Sequence, residues 1–157
     1  MYIIDGHNLL HTIIKMDELF EPVTDTQLCR LINNYLQLTG QKGELVFDGT
    51  GPREKNAYEN FSNLEVFFSN IGTDADSIIE DKIKADTSPK RLVIVSSDRR
   101  LRKAAQIRKA ASIKSAEFWV LLNKELNKKR PKKEPGGKRQ GLSESETKKW
   151  LEIFGIE

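Results

Sequence analysis

The chain has 157 residues, a formal net charge of +3, 31% charged and 8% aromatic residues. These proportions fit one folded domain with a real core and argue against wholesale disorder. A single cysteine, Cys29, excludes an internal disulfide or a multi-cysteine metal site. No window approaches the roughly 18 consecutive apolar residues of a spanning helix, and no basic-then-apolar leader opens the chain, so a soluble, cytoplasmic protein with no membrane partner is expected.

The first stretch, "MYIIDGHNLL", places Tyr2, Ile3 and Ile4 in a short buried strand that Asp5 and Gly6 break, a pair that a turn accounts for. Asp25 or Thr26 can cap a helix with an apolar stripe of Leu28, Leu31, Ile32, Tyr35 and Leu38. Gly40 ends it, and Cys29 beside the stripe reads as a small packed hydrophobe. "ELVFDG" repeats the opening grammar: an apolar run, Leu45 to Phe47, then Asp48 and Gly49. A loop with a short helix follows, "NLEVFFSN" supplies a third strand, and Thr73 to about Asp86 a helix.

"RLVIVSSD" is the most apolar strand and again ends in an aspartate, Asp98. The helix after it offers Leu101, Ala104, Ala105 and Ile107 to a core, and "SIKSA" gives a short fifth strand. Ser115 can cap a helix with a stripe of Phe118, Leu121, Leu122 and Leu126. Residues 127–141, rich in Lys, Pro and Gly, are expected to be mobile. A last amphipathic helix starts at Ser143, with Glu146 completing a capping box and Leu142 as a staple; Trp150, Leu151 and Phe154 line its apolar side. Two units follow: a body over 1–127, and a basic linker plus helix over 128–157.

Strands alternating with helices predict an α/β fold with a central, mainly parallel sheet covered on both faces, all strand ends on one edge, and ligands bound outside that edge. Asp5, Asp48 and Asp98 each follow a strand and so share the edge. The helix opening "TDADSIIEDK" brings Asp76 and Glu80 there on one helical face. Carboxylates gathered in one concavity repel one another unless a cation neutralises them. Mg²⁺ or Mn²⁺, as one ion or as two, suits such oxygen donors and can activate water against a phosphodiester. Duller readings exist for each: turn initiation for Asp5 and Asp48, the N-cap and a first-turn acid favoured by the helix dipole for Asp74 and Asp76, helix capping for Asp98, and a solvated charge or an ion pair with Lys84 for Glu80. The joint placement on one edge favours chemistry.

At these residues the chain resembles the NYN-domain nucleases, in their YacP-like branch, within the PIN-like nuclease group. The matching pieces are "IIDGHN", "VFDG", "TDADSIIED" and "VIVSSDRRLRKAA", in the family's order across roughly residues 1–125. The resemblance implies a three-layer α/β/α PIN-like fold and an Mg²⁺- or Mn²⁺-dependent endoribonuclease. By motif it makes Asp5, Asp76 and Asp98 the principal acidic ligands, with Asn8, Asp48 and Glu80 lining or orienting the pocket. Where the branch usually has "DGYN", this chain has His7, for which a packing or RNA-stacking role is expected rather than that of a general base. His11 is expected to be a surface or packing residue.

Basic residues extend the reading to a partner. Arg99 and Arg100 lie nearest the proposed metals and suit phosphate contacts, and single-stranded RNA fits an acidic pocket reached past cations. Tyr58 and Phe61 are candidate stacking platforms. Residues 124–139 carry eight basic against two acidic side chains, a local +6 that leaves the rest of the +3 chain at −3. This arm, with Lys128, Lys129, Arg130, Lys132 and Lys133, and the last helix admit three readings: gripping RNA, docking on a ribonucleoprotein such as a ribosome, or folding back on the body. Two other functions compete. A haloacid-dehalogenase-type phosphohydrolase needs a second acid two residues after the leading aspartate, where His7 stands. A PIN-like module that binds RNA without cutting it would gain nothing from acids that repel RNA.

Overall fold

The computed structural model describes residues 1–16 and 23–128. The arm residues Lys129, Arg130, Lys132 and Lys133 and the last helix expected from Ser143 lie outside the described residues. Among the described residues five strands form one sheet: β1 (Tyr2–Asp5), β2 (Gly43–Phe47), β3 (Leu64–Phe68), β4 (Val93–Val95) and β5 (Ala111–Ile113), in the order β3-β2-β1-β4-β5. Every neighbouring pair is parallel. The helices are α1 (Gly6–Met16), α2 (Asp25–Thr39), α3 (Ala75–Ala85), α4 (Arg99–Ile107) and α5 (Ser115–Lys128). None of the described helices is long and apolar enough to cross a membrane.

Side-chain alternation along the strands creates the three layers. Tyr2, Ile4, Leu45, Phe47 and Val95 face one way and pack with Leu9 and Ile13 of α1, Leu28 and Ile32 of α2, and Phe118 and Leu122 of α5. Ile3, Val46 and Ile94 face the other way and pack with Ile79 and Ile83 of α3 and Leu101 and Ala105 of α4. The expected α/β/α architecture stands. The chain runs outward from β1 to β2 and β3, then α3 carries it back so that β4 lands on the other side of β1. The order therefore reverses between β1 and β4, and this is the crevice where parallel sheets receive ligands.

Local corrections have simple causes. The segment after Asp5 is a helix of 11 residues rather than a turn; Leu9 and Ile13, four apart, give it a buried seam. Gly6 at its start has no room for a side chain, because a Cβ there would lie 2.5 Å from the Phe47 ring. The cap of α2 is Thr24, in a reciprocal pair with Gln27, not Asp25 or Thr26. The α2 stripe turns toward Cys29 and Leu36, leaving Leu38 exposed. Ile107 of α4 is also exposed. On α5, which packs against both α1 and α2, a wider face is needed: Trp119 and Val120 join Phe118 and Leu122 inside, and Leu121 points outward. The same helix extends through Asn127 and Lys128, where a mobile linker was expected to begin. Cys29 is buried, as its position beside the stripe suggested.

Candidate active site

Asp5 ends β1 at the β1–β4 crevice and is buried. Its Oδ1 accepts the Asn8 N–H at 3.4 Å, the contact an N-cap makes to the first turn of its helix, and its Oδ2 accepts the Ser96 hydroxyl at 3.2 Å. Burial pushes the carboxyl above the ordinary carboxylate range. The Asn8 N–H and the Ser96 hydroxyl oppose that rise, and the charges of Asp98 and Asp48 add to it.

Ser96 is fully buried and ties the two strand ends together, since its Oγ also accepts the Asp98 N–H at 3.0 Å. Asp98 caps α4 by accepting the Arg100 N–H on Oδ1 at 2.8 Å. A second tie runs through Asn8, whose Oδ1 accepts both the Ser97 N–H at 2.9 Å and the Ser115 hydroxyl at 2.6 Å. Two donors on one oxygen fix the amide's orientation and lock α1, the β4 loop and the start of α5 to one another. Ser115 is thus a buried tie inside the first turn of α5 rather than its cap. Glu117 takes the capping contact, accepting the Lys114 N–H at 3.2 Å.

Asp76 enters from the first turn of α3, whose cap is Asp74. Its carboxyl is pushed up to about 6, first by burial, then by the charges of Asp5 and Asp98 and by hydrogen-bonding reach to Asp98. Such a contact between two carboxyls holds only while one keeps its proton. The Arg100 charge opposes the rise. Asp5, Asp76 and Asp98, expected as the acidic ligands, therefore converge.

Asp48, Glu80 and Arg100 behave differently. Asp48 is exposed, and its Oδ1 accepts the Ala75 N–H at 2.7 Å and the Ser69 hydroxyl at 3.5 Å. It thus fixes the start of α3, one residue before Asp76, and orients the pocket from outside. Glu80 pairs not with Lys84 but with Arg100, whose Nε and Nη2 donate at 2.9 and 2.8 Å. That guanidinium holds the Glu80 carboxyl below its ordinary range. Arg99 is exposed. Lys128 ends α5, about 20 Å along the helix axis from Ser115 at the site edge, so it does not join the carboxylates.

His7 is exposed, with its ring 5.4 Å from that of Phe47 and its Nδ1 accepting the Asp48 N–H at 3.3 Å. His11 is exposed on α1. Tyr58 is half-buried against Phe47 and Phe68, with ring centroids 6.5 and 5.2 Å apart, and Phe61 packs on the core. Both spend ring surface on the body.

The donor set suits a hard divalent cation: carboxylate oxygens, and mutual repulsion that a cation would relieve. Among the described residues, no three His, Cys, Asp or Glu side chains stand in a ready-made coordination sphere. The carboxylates converge without being preset. Sequence reasoning missed the ties, Ser96, Ser97 and Ser115. "SSD" after an apolar strand is a readable signal for the first two, but Ser115 meets Asn8 across 107 positions and leaves no local trace.

The family model of the YacP-like NYN domain matches residues 2–154. The crystal structure of Rae1 (YacP) from Bacillus subtilis is similar in fold, with a TM-score of 0.64 and 19% identity, over 82% of this chain and 76% of that one. A tryptophan-to-leucine variant of the same protein matches with a TM-score of 0.62 and 18% identity, over 81% and 77%. No curated protein matches the chain.

Proposed function

We propose that this chain, which belongs to the YacP-like NYN domain family within the PIN-like nucleases, is a metal-dependent endoribonuclease acting on single-stranded RNA in the cytoplasm. The observation that carries the reading is the convergence of Asp5, Asp76 and Asp98 at the β1–β4 crevice, where the Asp98 charge raises the carboxyls of Asp5 and Asp76 and the Asp5 charge raises that of Asp76. These three side chains would hold Mg²⁺ or Mn²⁺, as one ion or two. When bound, the metal supplies a water of lowered pKa and charge stabilisation at the phosphodiester. The remaining work belongs to the chain. Ser96 and the Asn8 N–H aim Asp5, the Arg100 N–H aims Asp98, and Asp48 sets the α3 turn that carries Asp76. Arg99 stands exposed beside the cluster as a phosphate contact.

The basic arm is the second part of the proposal. Because Lys128 sits at the far end of α5, the arm starts away from the cleavage site. It suits a separate grip on RNA or a ribonucleoprotein such as a ribosome, with messenger RNA as the substrate presented there. Fold-back of the last helix is the competing use.

A circular single-stranded RNA, labelled internally, tests the enzyme reading. With Mg²⁺ or Mn²⁺ the wild type linearises it, while EDTA, Asp5→Asn and Asp76→Asn each prevent the cut. Equal cutting by all three proteins would mean a contaminant or a different site. Binding without any cutting would make the chain a non-catalytic RNA module. A trapped phosphoaspartate would point to the haloacid-dehalogenase chemistry that His7, standing where a second acid is needed, disfavours.

A further inference from the structure

Arg100 touches the carboxylate cluster twice. Its backbone N–H holds Asp98, and its guanidinium reaches across from α4 to α3. There it forms a two-point bond to Glu80, lies 3.4 Å from the Ser77 hydroxyl, and stops 4.0 Å from Asp76 Oδ2. The fork is satisfied by Glu80, one helical turn past Asp76, so Asp76 receives a nearby charge rather than a full hydrogen bond. Asp76 meets two carboxylates and this one cation. The guanidinium therefore stands where positive charge is needed while leaving Asp76's own oxygens unspent.

We propose that Arg100 is a built-in counter-cation of the cluster, parked by Glu80 beside Asp76, so that a divalent ion binds against its charge and Arg100 sets the metal affinity of the site. The inference rests on the metal reading above. Without an ion, Arg100 moderates the repulsion among Asp5, Asp76 and Asp98. With an ion, two positive charges are neighbours, and affinity is lower than the carboxylates alone would give. The arginine is about half exposed, so the penalty is partly screened by solvent. Arg100 is a positioning residue in this account, acting through Asp76.

Calorimetric titration of Mn²⁺ into the full chain, without RNA and at low salt, tests this in five proteins: wild type, Arg100→Gln, Arg100→Lys, Arg99→Gln and Asp76→Asn. Arg100→Gln is expected to bind Mn²⁺ about fivefold tighter. Arg100→Lys should stay close to wild type, because the charge remains. Arg99→Gln, which removes the same formal charge one residue away, should change affinity less than about twofold. Raising the salt concentration should shrink the Arg100→Gln gain. Arg100→Gln no tighter than Arg99→Gln, with Asp76→Asn losing the ion, overturns the role of Arg100 and leaves the metal site standing. Failure of wild type and Arg100→Gln alike to bind Mn²⁺ overturns both. Should Arg100→Gln misfold, Arg100→Met, which also removes the charge, takes its place in the same titration: an affinity for Mn²⁺ no tighter than that of Arg99→Gln removes the proposal.

Discussion

Asp5 and Asp48 look alike in sequence, each ending an apolar strand and followed by glycine, yet the fold gives them different work. Asp5 lies on the central strand beside β4, where strand order reverses, so its carboxyl meets Asp98 and Asp76 and is buried. Asp48 directly follows β2, which lies between β1 and β3, where no reversal occurs. Its carboxyl is exposed and spends Oδ1 on the Ala75 N–H. The local pattern explains why an acid ends each strand. Topology decides which acid joins the carboxylate cluster.

The largest expected effect breaks this pair apart directly. Asp5→Asn, Asp76→Asn and Asp98→Asn should each lower cleavage of single-stranded RNA on the order of 10³-fold, as loss of charge stabilisation at a reacting centre does. Asp48→Asn keeps an oxygen for the Ala75 N–H and should cost no more than about tenfold, within the range of outer positioning contacts. Single-turnover rates at saturating Mn²⁺ decide it. A rate for Asp48→Asn as low as that for Asp5→Asn would place Asp48 among the ligands and erase the distinction.

Ser96 sharpens the same contrast: its hydroxyl links Asp5 to the backbone of a second acid, Asp98, whereas its counterpart Ser69 links Asp48 only to the adjacent Gly49 N–H. Ser96→Ala leaves the Asp98 N–H without its acceptor and Asp5 without its second hydrogen bond. The expected loss is about 10–100-fold in activity or metal affinity. Ser69→Ala removes the hydroxyl that donates to Asp48 and should cost less than about threefold. Equal losses in the two variants would mean that the crevice needs no special alignment of its carboxylates.

Much of this was readable from the chain, for physical reasons. Strand runs such as Leu92–Val95 are legible because burial on both faces demands continuous apolar residues. The aspartates stand out because an acid directly after such a run is costly without a purpose. Asp76 is legible through its place in the first turn of α3. What could not be read is cross-chain. Ser115 reaching Asn8, and Arg100 choosing Glu80 on another helix over leaving it to Lys84, depend on how α3, α4 and α5 sit on the sheet. Within elements, the errors fall where a helix faces two neighbours at once, as α5 does, since a single stripe underestimates the buried face.

A smaller effect concerns stability rather than rate. Asp76 binds its proton more tightly folded than unfolded, with its carboxyl at about 6. The metal-free protein therefore loses stability as pH rises from the ordinary carboxylate range through about 6, and regains it as pH falls through the same window. The raised Asp5 carboxyl acts in the same direction. Asp76→Asn removes the cost. After allowance for solvent screening it should stabilise the metal-free protein at pH 7.5 by about 1–2 kcal/mol, a rise in Tm of roughly 3–6 °C. The gain should vanish near pH 4. Asp48→Asn should show no such gain. Melting curves in EDTA across pH 4–8 check both variants, and an Asp76→Asn protein no more stable than wild type at pH 7.5 would mean that the carboxylates are not in conflict.

The smallest expected effect lies between the two aspartates, at His7. Its position two residues after Asp5 invites a role in proton transfer, but its surroundings argue otherwise. The ring is exposed and rests against Phe47, and its Nδ1 is occupied by the Asp48 N–H. Among the described residues no carboxylate orients the ring, as the partner of a catalytic imidazole usually does. What the position then requires is a flat aromatic surface, which tyrosine also provides. His7→Tyr should change the single-turnover rate less than about threefold and leave the pH profile where it was, whereas loss of a general base costs about 10²–10⁴-fold. A drop of that size, with the acid limb of the profile abolished, would move His7 into the chemistry. An effect confined to KM for RNA, larger for His7→Ala than for His7→Tyr, would mark the ring as a surface for a base.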